Sequence, residues 1–153
     1  MSIKEKISSL GLSLPTAAAP VAAYVPAVKT GNLVFTAGQL PVVDGKLLKE
    51  GKVGSDVTAE EAKELAQICA LNALAAISLV ADLDQIERVV RVGGFVNCAP
   101  GFTAIPGVIN GASEFLIKIF GDVNGKHART AVGVAELPLN APVEVEVIVQ
   151  LKN

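Results

Sequence analysis

The sequence predicts an α+β fold, a mixed β-sheet covered on one face by two α-helices, and three observations predict it. Residues 143–151 place Val143, Val145, Val147, Val149 and Leu151 on one side and Glu144, Glu146, Ile148 and Gln150 on the other. That period of two is the mark of a strand with one apolar face. Thr58-Ala59-Glu60-Glu61 is a capping box, in which Thr58 caps a helix and Glu61 reaches back to it. The remaining apolar patterns complete the order strand, strand, short strand, helix, strand, helix, strand, strand, with no internal repeat and no linker. A length of 153 residues suits one domain, 1–153, burying about 70% of its unfolded surface.

Taken in order, Ile3, Ile7 and Leu10 fall at i, i+4 and i+7, a short amphipathic helix ended by Gly11. Residues 12–24, rich in alanine and proline, read as an extended arm. Residues 24–28 and 33–40 are strand-like, and Lys29-Thr30-Gly31-Asn32 supplies turn chemistry between them. Pro41 ends the second strand, and the turn at Asp44-Gly45 predicts a further short strand pair or a bend. The helix opened by Thr58 runs to about Val80. Its buried stripe is Ala62, Leu65, Ala66, Cys69, Ala73, Ala76, Ile77 and Val80, with Cys69 as a small core residue. A strand over residues 88–97 follows, with Arg88 and Arg91 as its solvated ends. After the loop 98–101 a second helix, apolar at Phe115, Leu116, Ile119 and Phe120, ends before Gly121, and Asn124-Gly125 makes the next turn.

Composition narrows the function classes. Apolar residues are 51% of the chain, charged residues 18%, and the mean hydropathy is +0.51. Polar and charged residues interrupt every apolar run before it reaches a membrane span, so the excess apolar surface is expected to be covered by other subunits. A net charge of −2 with no basic stripe argues against nucleic acid. Cys69, Cys98 and the single His127 make neither a disulfide scaffold nor a metal cluster, and no cofactor motif is present. The opening MSIKEKISS has no apolar signal core, which makes the cytoplasm the expected compartment.

Arg129 stands at the start of a small, weakly polar strand, Ala131-Val132-Gly133-Val134-Ala135, where an unpaired guanidinium is costly. Its partner is either a carboxylate of the protein, with Glu144 as an ordinary ion-pair partner, or the carboxylate of a ligand. Tyr24, Asn110 and His127 are the flanking candidates. If the last two strands paired as a tight hairpin across residues 137–142, Arg129 would oppose a residue near Gln150. Glu144 would then stand on the order of 20 Å away. Arg129 and Glu144 share a site only if these strands are not hairpin partners, or if different subunits supply them.

Arg129-Thr-Ala-Val-Gly-Val-Ala-Glu-Leu-Pro followed by Val143-Glu-Val-Glu resembles the signature of the RidA/YjgF family. Gly31-Asn32-Leu33-Val34-Phe35-Thr36-Ala37-Gly38-Gln39-Leu40-Pro41 and Val108-Ile109-Asn110 extend the resemblance over most of the chain. It implies a chorismate-mutase-like α+β fold and a homotrimer with ligand sites between subunits. It also implies hydrolysis of reactive 2-imino or enamine acids to 2-oxo acids and ammonia without a cofactor or metal; some members are called endoribonucleases. A non-enzymatic binder of small carboxylates is the rival reading. Carried over, Arg129 holds the substrate carboxylate, Glu144 positions the attacking water, and Tyr24 and Asn110 line the pocket with Ala37 and Ala131. The last two are departures, since the family has a serine at Ala37 and a cysteine at Ala131. The longer loop 97–106 and Gly125-Lys126-His127 depart as well, marking a divergent branch.

Overall fold

A computed structural model describes residues 1–20 and 22–153; Val21, inside the expected arm, lies outside the described residues. Helix α1 (Ile3–Ser9) opens on Ser2, which forms a capping box with Glu5, and packs Ile3 and Ile7 into the core. Strands β1 (Ala27–Thr30) and β2 (Leu33–Thr36) form a hairpin with Thr30 opposite Leu33, so the turn residues are Gly31 and Asn32 alone. Lys29 and Thr30 belong to the strand, and Tyr24 to the loop before it. The two-residue turn sets this register, with Gly31 at φ +56°, a conformation cheap only for glycine. Asp44 and Gly45, both at positive φ, turn β3 (Val42–Val43) into β4 (Lys46–Leu47) as expected.

Helix α2 (Ala59–Ile77) carries the predicted capping box and stops three residues earlier than expected. Val80 is accordingly exposed, while Ala70, Leu71, Leu74 and Ala75 are buried beyond the single predicted stripe. The helix is wedged between β7 (Val143–Leu151) and helix α3 (Ile105–Asn124), which buries it on two sides. Cys69 is fully buried with its Sγ 3.8 Å from the Val143 carbonyl, a core residue as read. A short 3-10 turn, Leu83–Gln85, leads into β5 (Ile86–Asn97). Arg91 lies inside this strand rather than at its end; it is half-buried and donates to Thr130 Oγ1 at 2.7 Å. The helical geometry of α3 breaks at Gly121 (φ +83°), where the sequence placed its end.

The sheet runs β1-β2-β7-β5-β6, with β6 spanning Ala128–Val134. Only the β5–β6 pair is parallel, joined through α3; the others are antiparallel. β6 and β7 are thus not hairpin partners, because β5 lies between them. A polar knot lies at the crossing. Asn97, fully buried at the end of β5, donates from Nδ2 to Asn140 Oδ1 (3.2 Å) and to the Ala141 carbonyl (3.1 Å). Its Oδ1 accepts from Lys52 Nζ at 2.7 Å. These bonds hold the 137–142 loop across the end of β5, and β7 enters on β5's far side. Helices α2 and α3 cover the face carrying Val143 to Leu151, and one contiguous core lies between. Among the described residues no helix is long and apolar enough to cross a membrane.

Candidate functional site

Val92 of β5 sits between Arg129 on β6 and Val147 on β7, and both valines are buried under the helices. Arg129 therefore projects to the helix face at the open edge of the sheet. It meets α3 there. Nη1 donates to Asn110 Oδ1 at 2.8 Å and to Ser113 Oγ at 3.2 Å, and Nη2 reaches the Pro106 carbonyl at 3.4 Å. Ser113 Oγ is also 2.9 Å from His127 Nε2, and His127 Nδ1 is 2.6 Å from the Gly125 carbonyl. Burial, first, and the Arg129 charge hold the imidazole below its ordinary pKa, opposed by the bond to Gly125. Ser113, Ile117, Lys126, His127 and Arg129 line a depression of about 330 Å³. A larger one, of about 450 Å³, lies against α1 between Lys6, Asp84, Glu87 and Lys152. Its lysines are spent on backbone carbonyls, Lys6 on Ile119 and Lys152 on Asp84, and the Asp84 carboxylate accepts from the Ile3 N–H, so the chemistry points to the smaller.

The partner of Arg129 is the question the sequence left open. Ion pairs among the described residues are Lys49–Glu61, Lys52–Glu136 and Lys63–Glu114. Among the described residues no carboxylate lies on Arg129. Its described partners are neutral oxygens, and they occupy Nη1 and one long contact of Nη2. No described hydrogen bond uses Nε, so the Nε–Nη2 edge, touched only by the long Pro106 contact, is the side suited to a planar anion, which arginine binds with two parallel bonds.

Glu144 is elsewhere. It alternates with the buried Val143 and Val145, so it faces the side of the sheet away from the helices. Its backbone is three residues along β7 and two strand spacings across from Arg129, roughly 14 Å away. Within one chain the two do not meet. Glu144 is half-buried, and its pKa is raised, first by burial and then by Glu146. Gly38 is its seat: a Cβ there would collide with the carboxylate, standing 2.8 Å from Cδ. The backbone of Gln39 exchanges hydrogen bonds with Val145 at 2.8 and 3.0 Å, holding the Ala37-Gly38-Gln39 segment beside Glu144. Tyr24 is exposed in the loop before β1.

The candidates thus divide between two places. Arg129, Asn110 and His127 gather at the helix-face edge, with Ala131 two residues along the same face; Glu144 and Ala37 gather on the opposite face. The sequence reading passed over Ser113. The available signal was its position three residues after Asn110, which puts both on one face of α3.

Residues 4–151 match the family profile described as "YjgF/chorismate_mutase-like, putative endoribonuclease". A Trypanosoma cruzi relative, protein TCP17, is 41% identical over 99% of this chain and 95% of its own length. A Dermatophagoides farinae relative, named 2-iminobutanoate/2-iminopropanoate deaminase, is 32% identical over 92% of this chain and 95% of its own. The crystal structure of an Agrobacterium tumefaciens protein of unknown function superposes with a TM-score of 0.90 at 43% identity, covering 98% of this chain and 92% of that one. With the fold, the signature residues and these matches in agreement, the chain belongs to the YjgF/chorismate-mutase-like family.

Proposed function

We propose that the protein hydrolyses small 2-imino or enamine acids to 2-oxo acids and ammonia, at a cleft shared between copies of this chain in a homotrimer. One observation carries the reading: among the described residues the Arg129 guanidinium is held on neutral oxygens with no carboxylate, and its Nε–Nη2 edge carries only the 3.4 Å contact to Pro106. A substrate carboxylate on that edge fixes the adjacent C=N carbon in place. A protonated imine is already electrophilic, so an oriented water and a carboxylate that accepts its proton suffice. Glu144, with its raised pKa, is suited to that role. Its place on the opposite face requires a second copy to bring it to Arg129. The uncovered sheet face, where Val28, Phe35 and Val132 are 51%, 40% and 40% exposed, favours such an assembly. Tyr24, Asn110, Ala37 and Ala131 are assigned to the pocket wall, and the cytoplasm to the compartment.

The test is ammonia release from 2-iminobutanoate generated in situ, with wild-type protein and with Arg129→Ala. Faster release with wild type alone supports the assignment. Binding of 2-oxobutanoate without any acceleration leaves a carboxylate-binding protein in place of an enzyme. Sedimentation equilibrium giving a monomer mass at micromolar concentration removes the shared cleft.

A further inference from the structure

We propose that Ser113 and His127 are positioning residues for Arg129, forming a one-way chain of hydrogen-bond donors that locks the guanidinium with its Nε–Nη2 edge outward. The direction of the chain follows from its ends. The Gly125 carbonyl can only accept, so the His127 nitrogen 2.6 Å from it, Nδ1, carries a proton. In the neutral ring Nε2 is then an acceptor, and the Ser113 hydroxyl 2.9 Å away donates to it. The hydroxyl oxygen is left to accept, and Arg129 Nη1 donates to it at 3.2 Å while also donating to Asn110 Oδ1 at 2.8 Å. Both described bonds of Nη1 thereby go to α3. Ser113 is buried and its only proton goes to His127, so its bond to Nη1 serves to orient the arginine. The depressed histidine pKa agrees with a neutral ring.

This inference rests on the carboxylate reading of Arg129 for its functional meaning, but the first arm of its test needs no ligand. Nitrogen-15 spectra of the free, full-length protein would follow rotation about the Arg129 Cζ–Nη1 bond. Slow rotation is expected in wild type, fast rotation in Ser113→Ala and His127→Leu, and restored slow rotation in Ser113→Thr and His127→Gln, which keep a hydroxyl and an acceptor. The second arm is calorimetry with pyruvate, where Ser113→Ala should bind about fivefold more weakly, the effect of one net hydrogen bond, and Ser113→Thr should recover. Equal rotation in wild type and Ser113→Ala overturns the proposal. So does a changed rotation with unchanged pyruvate affinity. Wild type that shows the locked arginine yet binds no pyruvate overturns the carboxylate reading and leaves the lock standing. Melting curves on each variant separate loss of the lock from loss of the fold.

Discussion

Replacing Arg129 by lysine keeps the charge and removes the planar fork, so it isolates what the fork contributes. The guanidinium makes bonds of 2.8 Å to Asn110 and 3.2 Å to Ser113 and still has an edge for a ligand. An ammonium is a point charge with three donors and cannot hold two α3 oxygens and both oxygens of a carboxylate at once. A bound carboxylate loses at least one charge-assisted hydrogen bond, worth about 1.5–3 kcal/mol. That converts to roughly a 10- to 150-fold rise in Kd. The lysine keeps a cation near both oxygens and Asn110 is partly solvated, so the cost to stability is smaller, about 1 kcal/mol. Titration calorimetry with 2-oxobutanoate, together with melting curves, separates the two effects. A Kd within about twofold of wild type in a folded Arg129→Lys protein refutes the claim that Arg129 is a two-bond carboxylate site.

Three other outcomes follow from specific contacts. Gly94→Ala places a Cβ 2.5–2.6 Å from three carbons of the fully buried Ile109, so it should destabilise by about 1–3 kcal/mol and lower Tm by roughly 3 to 10 °C; an unchanged melt would show that α3 shifts freely on β5. His127 has a folded pKa below its unfolded value, so its contribution to stability is present above about pH 6.5 and lost as pH falls through the depressed value. His127→Gln should flatten that part of the stability–pH curve measured by denaturant titration, and an unaltered slope counts against the assignment. Glu144→Gln should keep fold and ligand affinity while lowering imine turnover by about 10²-fold, and equal turnover removes Glu144 from the chemistry.

What the sequence disclosed was what is local. The alternation over residues 143–151, the Thr58–Glu61 box and the break at Gly121 each express a rule that acts within a few residues, and each appears where it was read. The strand order could not be read in this way. Whether β7 pairs with β6 or passes β5 is settled by contacts distant in sequence, among them Asn97 gripping Asn140 and Ala141 some 40 residues away in the chain. The start of β1 was missed because Tyr24 and Val25 look strand-like, whereas pairing begins at Ala27, past Pro26. Ser113 carried only the faint signal of its spacing from Asn110. A serine inside an apolar helix shows its role only when Arg129 and His127, from β6 and the turn before it, arrive at its hydroxyl.

The placement of Glu144 bears on the proposed chemistry most directly. A carboxylate ion-paired to Arg129 in the same chain would have a lowered pKa and would be a poor proton acceptor, with its partner no longer free for a substrate. The fold prevents this by assigning the two residues to opposite faces of one sheet, with β5 between their strands. Each is thereby held in the state its proposed role requires: Arg129 without an anion among the described residues, Glu144 made a better proton acceptor by burial and by Glu146. In the proposed assembly the two meet only across an interface, with the substrate between them. The imine carboxylate then neutralises Arg129 before Glu144 is asked to take a proton from water. Such a division needs no metal and no covalent intermediate, and it makes activity depend on assembly. A dilution series is therefore expected to lose specific activity at the concentration where the sedimenting mass falls, and constant specific activity through dissociation would place water activation within the single chain.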